Sequence, residues 1–394
     1  MRSLTCVPRT VYEALFKYKH HFRCAQGRHF LLFCWILVAL ILDTGRGTLK
    51  DLVLLMPVRI RYWALMRMVR SGQWAADELF TDMADDVVRM LPPPTDRTIH
   101  LIGDTTLKRK RGHKHPLGHK TRFNGYQQFT FGFEVVLLVA SWDHFRIPVA
   151  MAVIDPKVRG HQNTLFRQML GEFRTPSWAL KVIVEADAGF AATATFRAID
   201  ELGYAYVFAA ARTRKFTDGK SLRDLVTYLP RSHYRRRACH SPNGRRADYW
   251  VYWRRAKLKG VGDVTILLSK RRRNDGPKNT KIIVTNLERA SVGQILSCYA
   301  RRWGVEVTFK ECKGGLHLGR QQVTKDADRV RRTVLLVGCA YLLLLRLYAR
   351  DTHSTKEVSL FALKRRFTAD VMQQQVDHVE QRWKRKFEKL KAAA

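Results

Sequence analysis

The chain has 394 residues, enough for two or three domains with a large core. It carries 71 Lys and Arg residues against 34 Asp and Glu, which gives a formal net charge of +37. Such an excess favours a polyanionic partner; nucleic acid is the commonest, and an anionic membrane surface is the alternative. Because hydrophobic residues make up 46% of the chain, the composition excludes a disordered basic tail.

The first 95 residues predict a helical domain. Segments beginning at Thr44 and Ile60 have apolar residues at helical spacing and are separated by glycines. Short helices with many arginines predict a DNA-binding domain of helix-turn-helix type over residues 1–95, with a plain basic helical bundle as the alternative. Three consecutive prolines at 92–94 mark a linker.

Two apolar runs test the membrane alternative. Phe30–Leu42 has 13 residues and Val334–Leu345 has 12, both short of the roughly 20 needed to span a bilayer, so we expect buried core helices. The first run also begins too late for a signal peptide. Seven scattered cysteines without a CxxC pair indicate a reducing compartment and argue against a structural zinc. The prediction is a cytoplasmic, DNA-associated protein without a membrane segment.

From residue 98 the pattern changes to strands. An apolar run from Thr98 predicts a short buried strand that ends at Asp104, and another from Leu180 predicts a strand that ends at Asp187. Further strands are predicted at 129–142, 147–154 and 204–211, and helices at 163–173 and 193–203. Three strands followed by alternating helix and strand predict an α/β sheet over residues 96–211.

Residues 212–280 predict a β-rich insertion into this sheet. The segments 222–230, 247–260 and 263–273 are basic and rich in aromatic residues, and all three are interpreted as short strands. The apolar run 281–287 predicts a return to the main sheet, which makes 281–350 the second part of the core. A basic tail follows over residues 351–394.

Asp104 and Asp187 follow apolar runs at the carboxyl ends of their strands, where α/β folds place functional groups. A buried carboxylate there needs a cation as partner. Together with Glu306 they would supply three hard oxygen donors suited to Mg²⁺, and two such ions can activate a water and stabilise a leaving phosphodiester oxygen. The alternative is that both aspartates are strand-end caps. Glu185 competes as the second acid because it lies on the same strand face as Asp187.

One helix is predicted over residues 291–314, and it carries Tyr299, Arg302, Glu306 and Lys313. At 3.6 residues per turn these four side chains fall within roughly 60° of one another around the axis. A face with one carboxylate, two cations and a phenol differs from the usual mixture of Glu and Lys at i,i+4. It therefore indicates a face that meets phosphates and a metal ion.

These motifs resemble those of the DDE transposases of the insertion-sequence four superfamily, the group with the YREK signature. The similarity rests on IGDTT around Asp104, EADAGF around Asp187 and the order Tyr299-x2-Arg302-x3-Glu306-x6-Lys313. It extends over roughly residues 98–350. One departure is Gly103, where many relatives have a second Asp.

The resemblance implies an RNase H-like catalytic core interrupted by a β-rich insertion. It implies Asp104, Asp187 and Glu306 as the catalytic acids that hold two Mg²⁺ ions, with Mn²⁺ as a substitute. Tyr299, Arg302 and Lys313 become ligands of DNA phosphates around the cleaved bond. The implied activity is cut-and-paste transposition, in which a prokaryotic, nucleoid-associated homodimer cleaves terminal inverted repeats and joins the 3′-OH to target DNA.

A basic segment at 108–122 follows the first predicted strand and is interpreted as a phosphate-gripping loop. The cations assigned to DNA are Lys108, Lys110, Arg111 and Lys114. The spacing of three histidines in the segment (113, 115 and 119) could suggest a metal cluster, but no acid or cysteine joins them. The alternative to the phosphate-gripping loop is a solvated run of charges.

Two tryptophans of the insertion, Trp250 and Trp253, are candidates for stacking on a flipped base, as the resemblance implies. Half-buried strand aromatics are the alternative. The basic runs at 235–237 and 270–273 are predicted to contact the DNA backbone.

Overall fold

A computed structural model describes residues 7–23, 27–56, 60–111, 114–121, 129–240, 246–320, 326–349 and 359–393. The chain divides into two compact units. One comprises Met1–Met83, Lys310–His353 and Val358–Ala394, and the other comprises Ala84–Phe309 with Ser354–Glu357. The five domains expected from the sequence stay a prediction.

The described residues form a mixed α/β structure. In chain order the helices are α1 (Arg9–Leu15), α2 (Arg28–Leu42), α3 (Leu49–Leu54), α4 (Tyr62–Ser71), α5 (Ala76–Met90), α6 (His161–Glu172), α7 (Thr193–Glu201), α8 (Leu222–Tyr228), α9 (Val292–Arg301), α10 (Trp303–Gly315), α11 (Ala327–Tyr348) and α12 (Leu360–Ala393). The strands are β1 (Thr98–Arg109), β2 (His119–Thr121), β3 (Thr130–Trp142), β4 (Phe145–Val153), β5 (Lys181–Ala186), β6 (Ala205–Ala209), β7 (Arg235–His240), β8 (Arg246–Leu258), β9 (Gly262–Lys270) and β10 (Lys281–Thr285).

The first unit is a helical assembly built around α2 and α11. Both helices are apolar on nearly all sides, as expected of helices buried in a core, and they pack against each other. In the described parts of the chain, no helix combines the length and the apolarity needed to cross a membrane. Glu311 holds the start of α12, because its carboxylate accepts from the Leu360 amide at 2.9 Å and from the Tyr341 hydroxyl at 2.8 Å.

The second unit contains one ten-stranded mixed sheet. Its order is β2-β3-β1-β5-β6-β10-β9-β8-β7, and β4 pairs with β3 outside this path. β1 runs antiparallel to β3 and parallel to β5, and β5 is parallel to β6. β10 pairs antiparallel with both β6 and β9, so the predicted insertion strands extend the same sheet.

Helix α9 packs on one face of this sheet. Ile295 and Leu296 of α9 lie in one buried cluster with Val207, Val251 and Ile283 from three strands. Ser291 caps the helix by accepting from the Gln294 amide, and the Gln294 side chain accepts in return from the Ser291 amide. The cluster fixes the helix that precedes Glu306 against β6, β8 and β10 of this sheet.

Several predicted elements differ from the structure. The first strand does not end at Asp104 but continues to Arg109, because β3 pairs with it along this whole length. The segment 222–230 is not a strand: Ser221 and Asp224 form a capping box that begins α8. The basic segment is not a loop throughout, since its first two residues belong to β1 and β2 pairs with β3.

The helix predicted over residues 291–314 is interrupted at Arg302. α9 ends at Arg301 and α10 begins at Trp303, although Arg302 keeps helical dihedral angles (φ −50°, ψ −29°). A Cβ on Gly304 would lie 3.3 Å from Arg146 and 3.8 Å from Ile102, so the glycine lets the start of α10 approach the sheet closely. Tyr299 therefore lies on a different helical segment from Glu306 and Lys313.

Candidate active site

The register of β1 and β5 places two acids side by side. Gly103 is the partner of Ala186 in the last parallel pair, and the next residues along the two strands are Asp104 and Asp187. Each aspartate accepts a hydrogen bond from the amide that follows it, from Thr105 at 2.7 Å and from Ala188 at 2.8 Å. Asp187 thus caps the turn that follows β5, as the alternative interpretation held, whereas Asp104 lies within β1; both residues lie where the parallel pairing of the two strands ends.

Gly103 has a packing reason for lacking a side chain. A Cβ at this position would lie 2.1 Å from Cε2 of Phe166, which projects from α6. Real Cβ contacts do not reach that distance, so an aspartate here would require Phe166 to move. The departure from the sequence pattern therefore follows from the packing of α6 against β1.

Arg302 joins two of the three acids. Its Nη1 donates to Asp104 Oδ2 at 3.1 Å and its Nη2 donates to Glu306 Oε1 at 3.1 Å. The Arg302 side chain is 14% exposed and that of Asp104 is 19% exposed, whereas Glu306 is 35% exposed. Strand β1, the junction after α9 and the first turn of α10 thereby bring their charged groups into one cluster.

The charges of this cluster act strongly on one another. Burial raises the pKa of Asp104 to about 6, and the carboxylates of Asp187 and Glu306 add to the rise, while the Thr105 amide and Arg302 oppose it. Burial acts to lower the pKa of Arg302, but Tyr299 and the three acids outweigh it, so that pKa is raised. Asp187 has no direct bond to Arg302 among these contacts, yet it belongs to the same electrostatic group.

Tyr299 borders the cluster from α9. Its ring lies 5.1 Å from Lys281 Nζ and 5.8 Å from the Arg302 guanidinium carbon. Its hydroxyl is buried and has no hydrogen-bond partner in the structure, so its hydrogen-bonding capacity is unused there. The ring also packs against the buried cluster beneath α9.

Glu185, the competing second acid, occupies a different environment. It is fully buried, and one carboxylate oxygen lies 2.6 Å from His100 Nδ1. Glu185 therefore already has a hydrogen-bonding partner inside the unit, whereas Asp187 is half-buried just after the end of β5. The geometry favours Asp187 for contact with a ligand.

Lys313 lies in the last turn of α10, seven residues after Glu306. At 3.6 residues per turn this separation keeps the two residues on the same side of the helix. Lys313 and Glu306 therefore share one helix, whereas Tyr299 lies on α9; a role for Lys313 in binding DNA stays a prediction.

The basic segment begins on the same strand as Asp104. Side chains alternate along a strand, so Lys108 is on the face of Asp104, about 13 Å further along β1. Burial, with the charge of Lys108 added, lowers the pKa of Lys110 to about 8. Arg111 and Lys114 are exposed.

The two histidines of this segment that the structure describes, His115 and His119, do not form a metal-binding group. His115 stacks on Phe133 with ring centroids 4.8 Å apart, and burial with the nearby Lys110 charge lowers its pKa to about 4. His119 lies 3.6 Å from Glu134. His113 falls outside the described residues. The described histidines thus contact other groups.

Trp250 and Trp253 lie on opposite faces of β8, because they are three residues apart. Each ring has an arginine over it, Arg273 at 5.1 Å from Trp250 and Arg237 at 5.4 Å from Trp253. Both aromatics are partly exposed, and Trp253 is exposed to 39%. The two tryptophans therefore do not form one stacking surface.

Sequence reasoning assigned no role to Trp303, the first residue of α10. Its side chain is 64% exposed although it lies three residues before Glu306. A large aromatic ring open to solvent beside a cluster of acids offers a platform for a nucleobase. The only sequence signal was its place in the RRWGVE run next to the acid.

The donor chemistry of the three acids suits a hard divalent cation, since each offers carboxylate oxygens. The charges of Asp187 and Glu306 repel that of Asp104 and raise its pKa, and a cation between the three carboxylates would reduce this repulsion. Among the described residues, the three acids do not each place a donor atom within 4.8 Å of the other two. Arg302 occupies one oxygen of Asp104 and one of Glu306 in this arrangement.

Residues 96–343 match the model of the Transposase DDE domain family, so the chain belongs to this family. DDE transposases are DNA-recombining enzymes that use divalent metal ions. The chain is also similar to the piggyBac transposase in the cryo-EM structure of its synaptic complex with hairpin DNA. The identity is 12%, the TM-score is 0.47, and the match covers 96% of this chain and 80% of that one. No curated protein matches the chain in sequence.

Proposed function

We propose that this protein is a cut-and-paste DNA transposase of the insertion-sequence four group with the YREK signature. Asp104, Asp187 and Glu306 are its catalytic acids. The observation that carries the proposal is the Arg302 bridge between Asp104 and Glu306, with Asp187 beside Asp104 on the neighbouring strand. Three acids far apart in the chain share one electrostatic cluster at the edge of a sheet.

The order of the strands supports an RNase H-like core. An antiparallel set of three (β4, β3, β1) continues into the parallel strands β5 and β6, and the acids follow the central parallel pair. This is the edge at which open α/β sheets hold their ligands.

The acids would hold two Mg²⁺ ions, with Mn²⁺ as a substitute, and bound ions would activate the nucleophile and stabilise the leaving oxygen. The protein's own groups would hold the DNA. Tyr299, with its unpartnered hydroxyl, Arg302 and Lys313 are suited to phosphates near the cleaved bond. When Arg302 turns to a phosphate, it releases one oxygen on each of its two carboxylate partners.

Charge supports DNA as the partner. The basic residues at 108–114 begin on the strand of Asp104, and the insertion carries further arginines on β7 and beyond β9. Each phosphate contact made by such residues releases counterions, so binding should weaken steeply with salt. We propose a homodimer that holds two terminal inverted repeats and the target DNA.

The test is a cleavage and joining assay with the purified full chain. A labelled duplex from the end of the element, identified by inverted repeats flanking the gene, is incubated with Mg²⁺ and a target plasmid. We expect a nick with a free 3′-OH and then a joined product. Nicks without joining would indicate a nuclease, and binding without nicks a catalytically silent DNA-binding protein; either result would overturn the proposal.

Glu306→Gln separates catalysis from binding. The variant should lose cleavage while its affinity for the labelled end stays within about two-fold, because a carboxylate carries the same sign of charge as the phosphates and contributes little to binding them. Glu201→Gln, an exposed substitution of the same kind at the end of α7, is the matched control and should cleave normally. Loss of binding in Glu306→Gln would mean that Glu306 has a structural role.

A further inference from the structure

A second group of metal-binding side chains lies on the sheet face that carries the aspartates. A ring nitrogen of His100, a carboxylate oxygen of Glu185 and Cys298 Sγ all lie within 4.8 Å of one another. They come from β1, β5 and α9. On their strands His100 is four residues before Asp104, about 13 Å away, and Glu185 is two residues before Asp187, about 7 Å away.

Glu185 has an unsatisfied oxygen at this point. One oxygen contacts His100 Nδ1 at 2.6 Å, while Oε2 is buried without a hydrogen-bond partner. The residue is 0% exposed. A buried carboxylate oxygen without a donor costs free energy, so native structures usually provide a donor, a water or a cation. Here the nearest candidate ligands for a shared cation are an imidazole and a thiol.

The charge balance of the group is compatible with a cation. A carboxylate from Glu185 and a thiolate from Cys298 together balance a divalent ion. The Arg301 guanidinium lines the same cavity as Cys298 and would reduce the affinity for the ion.

A cavity borders two members of the group, His100 and Cys298. It has a volume of about 370 Å³, and both His100 and Cys298 line it, together with Thr98, Lys181 and Arg301. Its size allows a hydrated ion to enter and leaves room for water. A fourth ligand can therefore come from solvent.

We propose that His100, Glu185 and Cys298 form a zinc site that is separate from the catalytic acids, with a water from the cavity as the fourth ligand. Imidazole and thiolate donors select zinc over magnesium, and four-coordinate N, O and S sites are typical of zinc. Binding releases the thiol proton of Cys298 to solvent, and where His100 Nδ1 is the ligand, the imidazole proton moves from its 2.6 Å contact with Glu185 to Nε2. The ion would tie α9 to β1 and β5.

The consequence for the protein is a fixed position of α9. Tyr299 lies one residue after Cys298, and Arg302 follows the end of this helix. A metal link at Cys298 would hold both residues at a constant distance from the sheet. Sequence spacing could not reveal the site, because its three ligands are spread over about 200 residues of the chain.

The experiment uses Co²⁺ as a spectroscopic probe in the metal-stripped full chain. We expect a thiolate-to-cobalt charge-transfer band that saturates at one equivalent and that Zn²⁺, but not millimolar Mg²⁺, removes. The band identifies this site, because the other described set of donors within 4.8 Å, His20, His21 and Asp82, contains no sulfur. Absence of the band in the wild-type chain would overturn the proposal.

Variants then assign the ligands. Cys298→Ser should lose the band, whereas Cys239→Ser, a buried cysteine in the same unit, should keep it. Asp104→Asn should also keep it, because that residue belongs to the other site. A band that survives Cys298→Ser would refute the site. If that variant does not fold, His100→Gln decides in its place: an affinity for Co²⁺ within two-fold of wild type would refute it equally.

Discussion

Replacing Asp104 by Asn should stabilise the fold while it abolishes cleavage. Burial raises the pKa of this carboxyl from 3.8 to about 6, so the folded state binds the proton more tightly than the unfolded chain. Below about pH 4 the group is protonated in both states and costs nothing. Stability is lost as the pH rises from about 4 to 6, and the full loss, about 3 kcal/mol at about 1.36 kcal/mol per pKa unit, applies above that range.

The variant removes this penalty but also removes one partner of Arg302. We therefore expect a gain of about 1–3 kcal/mol in the free energy of unfolding at about pH 8, which shrinks toward zero at about pH 4. The measurement is urea denaturation of both proteins with a chelator present, so that bound metal does not contribute. The exposed Asp263→Asn should change stability by less than about 0.5 kcal/mol at either pH.

Two results would refute this reasoning about Asp104. A variant less stable than the wild type at about pH 8 would mean that the Arg302 bridge outweighs the cost of burial. A gain of equal size at both pH values would mean that the carboxyl does not titrate in this range.

Three other changes probe separate features. Gly103→Ala should lower the free energy of unfolding by about 1–3 kcal/mol in urea denaturation, because its Cβ would collide with Phe166, whereas Gly171→Ala meets nothing within 4 Å and should not destabilise. Trp303→Ala should leave the Tm unchanged but weaken binding to DNA with an unpaired end base by about 1 kcal/mol or more in a fluorescence anisotropy titration; equal loss on blunt duplex would contradict stacking. Glu311→Gln should destabilise the helical unit by about 1–3 kcal/mol, because an amide NH₂ would face one of two buried donors; an unchanged Tm would show that these bonds contribute nothing.

The strands that carry the aspartates were predictable, because apolar runs followed by an acid at Asp104 and Asp187 have a simple physical meaning. The start of α9 was also predictable, because the helical spacing of apolar residues and the capping residue Ser291 indicated the same helix. The error at 222–230 had a local signal that was available: Ser221 followed three residues later by Asp224 is a capping box. The β propensity of the aromatic and branched residues there suggested a strand instead.

Other features depend on distant contacts and had no local signal. The interruption at Arg302 accompanies its bonds to Asp104, which lies 198 residues earlier in the chain, and to Glu306. The contact of His100 with Glu185 spans 85 residues. The local sequence around Arg302 or His100 does not indicate these partners, because the residues come together only when the strands align in register.

Strand β10 pairs on one side with β6, in the part of the sheet that holds the candidate acids, and on the other side with β9, in the basic insertion. Continuous strand pairing joins these two parts of the sheet, so β7 to β9, with their arginines and tryptophans, keep a fixed position relative to the candidate catalytic acids. DNA bound by those strands would therefore be held at a fixed distance from the candidate catalytic acids. The position of the cleaved bond would then be set by the distance between these two parts of the sheet and not by a conformational change.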